Sequence, residues 1–358
     1  PVVLNISLIT AALYFTQYFT TPIIALAYGV LAAGILQYAM QMPLLYKIDL
    51  LVMPKINFKF EGVNRVIKLM LPAMLGTAVV QINLVIDSIV ASMLAVGSIS
   101  WLYYSDRLVE FPLGIFGIAI ATVILPALSE KFSKDDMNDY KKTLNNAVNV
   151  AIVFSLPAMF GLMILSEHII STLFEYGSFD INDTAMSSLS LLAYAVGLPA
   201  FILMKVLLTG FFSRQDTKTP VKYGIIAVMF NIVMNVSVVL YYFQHPFQGA
   251  HSLLALATSV SAWIQVILLY RKLRILGLVQ KNALISSSSI KSLLSCILMS
   301  TALFYTLIDI NNWSDKIYYM RGSLLIGYII FGSIIYAFIM YLFGYNIKKI
   351  IYENYKKS

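Results

Sequence analysis

Long apolar runs separated by short polar stretches dominate the chain. Ten of these runs reach, or nearly reach, the length of about 20 residues that a helix needs to cross a hydrocarbon core. They lack the regular alternation of apolar and polar residues that is typical of the strands of a membrane barrel. The pattern therefore predicts an all-α, polytopic membrane helix bundle. The ten predicted spans lie near residues 1–18, 22–43, 66–96, 101–128, 144–166, 186–211, 221–243, 250–270, 290–309 and 320–344.

Composition agrees with this prediction. Of 358 residues, 59% are hydrophobic and only 12% are charged, whereas soluble chains carry about 25% charged residues. A chain this apolar must expose apolar surface, and lipid is the solvent that accepts such a surface. The single cysteine, Cys296, excludes an internal disulfide and a cysteine-cluster metal site.

The basic residues lie mainly on alternate linkers. If each run crosses the membrane once, the linkers on one side hold 21 of the 25 Lys and Arg residues. The positive-inside rule then places these linkers and the C-terminus in the cytoplasm. The net charge of +8 therefore reflects membrane topology, and it does not indicate nucleic-acid binding.

Two segments are less regular. The linker at 44–65 mixes apolar with basic residues, so it could lie on the inner membrane surface or be an ordinary solvated linker. The chain also begins inside an apolar run, without the charged start of a signal peptide. We therefore expect the sequence to start within a longer protein.

The most polar stretch of any predicted span is WLYYSDRLVEFP, residues 101–112. On a helix, Asp106 and Glu110 are four residues apart, and Arg107 and Glu110 are three apart, so each pair can interact. Charged groups inside a membrane usually face a cavity or a partner. A planar guanidinium held by one acid suits bidentate recognition of phosphate. The alternative is a structural ion pair that joins two helices.

Two further ionisable residues lie within predicted spans. Asp87 could bind a coupling cation or a proton, pair with Arg107 on the next span, or join a hydrogen-bond network between helices. We expect the pairing, because a buried arginine needs neutralisation. Lys205 could contact an anionic substrate, or it could extend toward the inner surface near Arg214.

Sequence signatures of enzymes are absent. The chain has no glycine-rich phosphate loop, no nucleophile elbow and no His-Glu metal helix. It therefore predicts a protein that is not an enzyme and that uses no cofactor.

Two stretches resemble MurJ-type lipid II flippases of the multidrug/oligosaccharidyl-lipid/polysaccharide exporter superfamily. One is SISWLYYSDRLVEFPLGIFGIAIATVILPALS at 98–129, and the other is GFFSRQDTKTPVK at 210–222. The resemblance implies a fold of about fourteen helices, in two six-helix lobes with two terminal helices. Residues 1–43 would then be the last two helices of the first lobe and 44–65 the cytoplasmic linker. Residues 66–275 would form the second lobe, 286–345 the terminal helices that border a lipid-tail groove, and 346–358 a cytoplasmic tail.

The same resemblance implies a function. Such proteins move lipid II, an undecaprenyl-linked peptidoglycan precursor, from the inner to the outer leaflet of the bacterial cytoplasmic (inner) membrane. Arg107 matches an arginine regarded as essential in the family, and Ser100, Asp106 and Glu110 fall on the same motif. A central cationic cavity would take the diphosphate head. Other cavity arginines of the family lie in its first helices and have no counterpart in this chain.

A lipid flippase needs buried cations and no covalent chemistry. Transport would proceed by alternating access. The membrane potential, worth about 2.3 kcal/mol per charge per 100 mV, or a monovalent cation could assist it. The expected partners are lipid II, membrane lipids and proteins of cell-wall synthesis, and nucleic acid is not expected. The alternatives are a cation-coupled multidrug or polysaccharide-lipid exporter, and a membrane scaffold that binds lipid-linked precursors without moving them.

Overall fold

The computed structural model describes residues 2–50, 63, 81, 83–308 and 313–345. All regular elements in these ranges are helices, and eight of them are long and apolar enough to cross a membrane. Two shorter apolar helices, Val2–Tyr18 and Asn83–Ser92, lie where the first and third spans were predicted. The predicted all-α membrane fold is thereby confirmed. Most of the linker at 44–65, most of the third span and the tail at 346–358 lie outside the described residues.

The chain divides into two compact units, Pro1–Pro72 and Ala73–Ser358. The first unit contains α1 (Val2–Thr10), which continues through one π-helical and one 3-10 turn, and α2 (Ile23–Lys47). A Cβ added at Gly29 would lie 2.8 Å from the Ala11 Cβ, so glycine lets these two helices approach closely. Ser7 Oγ donates a hydrogen bond to the Gly29 carbonyl at 2.7 Å and fixes the contact.

The second unit begins with α3 (Asn83–Ser92) and α4 (Ser98–Pro112). Helix α4 runs through a π-helical turn, Leu113–Ile118, into α5 (Ala119–Ser133), and together they form one long span. The wide turn directly follows Pro112, which has no backbone N–H to donate. The remaining helices are α6 (Met137–Ile164), α7 (Ser166–Phe174), α8 (Ile181–Phe212), α9 (Lys218–Gln244), α10 (Ala250–Ile275), α11 (Ser287–Ile308) and α12 (Tyr318–Leu342). The predicted division into a lobe and two terminal helices stays a prediction.

Helix α8 lies at the centre of this unit, packed against α4, α6 and α10. A Cβ at Gly197 would lie 2.5 Å from Ser259 Oγ, so α8 and α10 are in close contact there. Ser259 Oγ also donates to the Ala193 carbonyl at 2.7 Å. Small residues and interhelical hydrogen bonds of this kind are typical of membrane interfaces, where apolar surfaces gain little by leaving lipid.

The last two helices form a hairpin against α6. Tyr336 of α12 donates to the Val153 carbonyl at 2.7 Å, and its hydroxyl lies 2.9 Å from Ser292 Oγ of α11. Lys291 Nζ donates to the carbonyl of Phe343 at 2.7 Å, so it satisfies an acceptor at the end of α12. These contacts hold α6, α11 and α12 together.

Candidate functional site

The N-terminal part of α4 is anchored to its neighbours by one face. Trp101 Nε1 donates to Asp183 Oδ1 at 2.7 Å, and the Trp101 ring packs 4.8 Å from His251. One turn later, Ser105 Oγ donates to the Ser187 carbonyl at 2.7 Å. Val109, a further turn along, is buried. The face made by residues 101, 105 and 109 is thus fixed against α8 and α10, which leaves the opposite face accessible.

The accessible face carries the predicted arginine. Arg107 Nη1 lies 2.5 Å from Glu110 Oε2, and their side chains are 51% and 50% exposed. The guanidinium also stacks on the Tyr103 ring at 4.9 Å. Ser100 is exposed on the first turn of the same face. The structure therefore brings Ser100, Arg107 and Glu110 onto one surface and adds Tyr103, which the sequence had not singled out.

Asp106 lies on a different side of α4 from Arg107. It is half-buried and makes no hydrogen bond or ion pair with any described residue, although it lies within Coulomb range of Arg107 and Glu110. The motif thus places one cation beside two carboxylates. Helix α4 alone therefore does not carry the net positive charge that would attract a diphosphate.

Lys205 does not join this surface. Helices α4–α5 and α8 run parallel, and a Cβ added at Gly117 would lie 3.5 Å from the Ile202 Cα. Lys205, three residues beyond Ile202, is therefore level with about residue 120. That position is roughly 20 Å along the helix axis from Arg107. The two cations cannot contact the same phosphate group in this arrangement.

Asp87 lies in a cluster of amides. Asn235 Nδ2 of α9 donates to Asp87 Oδ1 at 2.6 Å, and Asn83 Nδ2 donates to Asp87 Oδ2 at 2.9 Å. With its amide nitrogen turned toward the acid, Asn231 also donates to Oδ1 at 3.1 Å, and its oxygen accepts from Thr258 Oγ1 at 3.2 Å. This amide cluster connects α3, α9 and α10.

The ion pair that we expected between Asp87 and Arg107 is not formed among the described residues. Asp87 faces the amides of α9, whereas Arg107 contacts Glu110 on its own helix. The sequence places both residues at a similar depth, but depth does not fix the direction in which a side chain points. Glu110 lies three residues from Arg107 on the same helix, so their contact does not depend on how a second helix packs.

The sequence did contain a signal for the amide cluster. Asn231 and Asn235 lie one turn apart within an otherwise apolar span, and both are buried. Buried polar side chains inside a membrane helix are costly unless they meet a partner. Two asparagines at this spacing therefore indicate a polar contact on one face of α9.

An apolar groove of about 950 Å³ lies between the π-helical turn after α4, α6 and the α11–α12 hairpin. Phe111 and Phe116 line one side, and Phe116 stacks on Phe154 of α6 at 5.1 Å. Phe111 is one helical turn, about 6 Å, from Arg107. The half-exposed ion pair and the groove thus occupy consecutive turns of one helix.

Comparison with known proteins places this geometry in context. The family model described as "Lipid II flippase MurJ" matches residues 1–324. The probable lipid II flippase MurJ of Haemophilus influenzae is 41% identical over 336 residues, covering 92% of this chain and 64% of that protein. The corresponding protein of Vibrio cholerae is 48% identical over 277 residues, covering 77% of this chain and 51% of its own length.

A solved structure is also similar. The lipid II flippase MurJ in an inward closed conformation superposes with a TM-score of 0.76 at 27% identity, covering 95% of this chain and 66% of that one. The chain therefore spans about half to two thirds of the length of the relatives that it matches.

Proposed function

Since the chain belongs to the lipid II flippase MurJ family, we propose that it is part of a protein that moves lipid II from the inner to the outer leaflet. The observation that carries the proposal is the adjacency of the Arg107–Glu110 pair and the apolar groove. Lipid II joins a charged diphosphate-sugar head to a long apolar tail. A site for it must offer both environments within one molecule's reach.

Arg107 would bind the diphosphate. Its guanidinium is half-exposed and already held by one carboxylate, so exchanging Glu110 for a phosphate replaces one charge-assisted contact with another. Glu110 would return to Arg107 after release and neutralise it while the site is empty. Asp106 and Glu110 leave the local charge unfavourable for an anion. Further cations of the full-length protein, outside this chain, would therefore have to contribute.

The groove would take the polyprenyl tail. Its lining is mostly aromatic and aliphatic, and α12 contributes Tyr328, Ile329 and Gly332 to one wall. A tail in this groove stays in a hydrocarbon-like environment while the head crosses the membrane. The process makes and breaks no covalent bond, so the chain requires no catalytic residue.

The amide cluster supports coupling to a monovalent cation. Asp87 offers carboxylate oxygens, and the buried Asn235 Oδ1 has no hydrogen-bond partner among the described residues. Hard cations prefer oxygen ligands of this kind. A cation that binds here and moves into the cytoplasm would couple lipid transport to the cation gradient and to the membrane potential. In its absence the amide N–H groups satisfy the carboxylate.

The proposed setting is the bacterial cytoplasmic membrane, with the C-terminus in the cytoplasm. The distribution of Lys and Arg residues supports that orientation. Lipid II would be delivered from the cytoplasmic side and released to enzymes that polymerise it outside. Cell-wall synthesis proteins are therefore the class of protein partner to expect.

Arg107→Ala and Arg107→Lys test the proposal in proteoliposomes that contain lipid II. We expect Arg107→Ala to abolish translocation and Arg107→Lys to reduce it strongly, because lysine keeps the charge but loses the planar pair of donors. Arg271→Lys is the matched control, since Arg271 is exposed at the inner end of α10. Full activity of Arg107→Ala would contradict the assignment. Full activity of Arg107→Lys would show that the site requires only a positive charge and not the planar pair of donors.

A further inference from the structure

A buried arginine lies in the first turn of α12. Arg321 is 8% exposed, and its Nε donates to the Lys316 carbonyl at 2.8 Å while Nη2 donates to the Ser314 carbonyl. Nη1 lies 3.4 Å from both the carbonyl and the hydroxyl of Ser171, and 3.5 Å from Glu175 Oε1. This residue lies at the start of the predicted span 320–344, and it was not singled out from the sequence.

These contacts point in two directions. The bonds to Ser314 and Lys316 fold the turn before α12 around the guanidinium. The contacts with Ser171 and Glu175 reach α7 and the residue that follows it. Glu175 is itself only 9% exposed, so both charges of this pair have left water. Removing either partner would leave the other buried and uncompensated.

A second contact joins the same two elements. Trp313 Nε1 donates to Thr172 Oγ1 at 3.1 Å, and the Trp313 ring meets His168 edge-on at 4.7 Å. We call the set Ser171, Thr172, Glu175, Trp313 and Arg321 the outer latch. It fastens the start of α12 to α7.

The outer latch bounds the apolar groove at one end. Leu165 and Ile169 line the groove and also pack in one cluster with Trp313. Farther along α12, Tyr336 lines the groove and donates to the Val153 carbonyl of α6. The part of the α12 wall from Tyr328 to Tyr336 thus lies between two polar attachments.

We propose that Arg321 is a positioning residue for the apolar tail, because the outer latch sets the separation of α12 from α6 and α7. This inference rests on the proposed function. In lipid, apolar helix faces have little drive to associate or to separate, so directional polar contacts determine where a helix lies. Arginine presents five donors in one plane. Here they reach acceptors in the turn before α12 and acceptors on and just after α7. Lysine cannot reproduce that arrangement.

The test compares two lipids that share the lipid II head group, one with an undecaprenyl tail and one with a short farnesyl tail. Binding is measured with Arg321→Lys and Glu175→Gln in the complete protein. We expect affinity for the long-tailed lipid to fall about ten-fold or more through misplacement of the wall. Affinity for the short-tailed lipid should change less than about two-fold. Glu167→Gln is the matched control, since Glu167 is an exposed acid on α7.

An equal loss of affinity for both lipids would mean that the outer latch only supports folding, and it would overturn the inference. Unchanged affinity for the long-tailed lipid would overturn it as well. Wild-type protein that binds both lipids without translocating them would contradict the proposed function instead, and it would leave the comparison of tail lengths valid.

A second measurement does not use lipid II. Spin labels at Leu173 on α7 and Ser323 on α12, both exposed, report the distance between these helices. We expect the distance distribution to broaden in Arg321→Lys and to stay unchanged in Glu167→Gln. An unchanged distribution in Arg321→Lys would overturn the inference.

Discussion

Gly97, the residue before α4, offers a sharp test of how the helix that carries Arg107 is held. Its φ is +102°, in the region that favours glycine. A Cβ at this position would lie 2.6 Å from Trp101 Cζ2 and 2.8 Å from Cε2, which is closer than carbon atoms approach. Gly97→Ala therefore strains the backbone and displaces the ring.

The cost follows from two contributions. A Cβ in a left-handed conformation costs roughly 1–2 kcal/mol. Moving the ring breaks the hydrogen bond from Trp101 Nε1 to the Asp183 carboxylate, and bonds to charged groups contribute about 1.5–3 kcal/mol. We therefore expect Gly97→Ala to lower the free energy of unfolding by roughly 2.5–5 kcal/mol.

A double-mutant cycle with Trp101→Phe separates the two contributions. Phenylalanine lacks the indole N–H and the larger ring, so in that background Gly97→Ala should cost only the backbone part, about 1–2 kcal/mol. Unfolding is followed by tryptophan fluorescence or by a thermal shift in detergent. Gly114→Ala is the control, because a Cβ there would meet no side chain and no neighbouring helix within 4 Å. A wild-type-like Gly97→Ala, or an equal cost in both backgrounds, would refute the reasoning.

Three further predictions follow. Asp87→Asn should abolish the dependence of translocation on a cation gradient while leaving lipid II binding unchanged; gradient dependence equal to that of the wild type would contradict a cation site. A cysteine at Ser178, which is exposed between α7 and α8, should react with an impermeant reagent from outside, and one at Ser133 should not; the reverse pattern would invert the topology. Burial lowers the pKa of His168, and the neighbouring Glu167 offsets this only in part. Protonation of His168 therefore destabilises the fold as the pH falls from about 6.5 through the lowered pKa, so the melting temperature of the wild type should fall toward acid relative to that of His168→Phe. A difference between the two melting temperatures that does not change with pH would contradict this prediction.

The sequence predicts the features that depend on composition and local spacing. Run length and hydropathy locate the spans because a membrane helix must satisfy its own backbone and face lipid. The Arg107–Glu110 contact is likewise local, since residues three apart on a helix are neighbours. These features require no knowledge of how the helices are arranged.

Contacts between distant residues could not be predicted in this way. Asp87 meets Asn235, and Trp101 meets Asp183, only because helix packing brings them together. Asp183 and Glu175 lie between the predicted spans 144–166 and 186–211, where acidic side chains are usually solvated. In the structure Asp183 accepts a hydrogen bond from Trp101, and Glu175 contacts a buried arginine. A charge count along the chain cannot distinguish a solvated acid from one that has a partner on another element.

The π-helical turn at Leu113–Ile118 determines the rotational phase of the whole α4–α5 span. Val109, Gly117 and Leu128 are all buried, yet at about 100° per residue Gly117 would lie about 80° and Leu128 about 100° away from Val109. A π-bulge adds one residue to the helix. With that residue subtracted, Gly117 falls about 20° from Val109, and Leu128 lies at nearly the same angle as Val109. Deleting one residue from the wide turn would therefore keep the buried stripe continuous, whereas a deletion in α5 before Leu128 would rotate Leu128 relative to Val109 by about 100°.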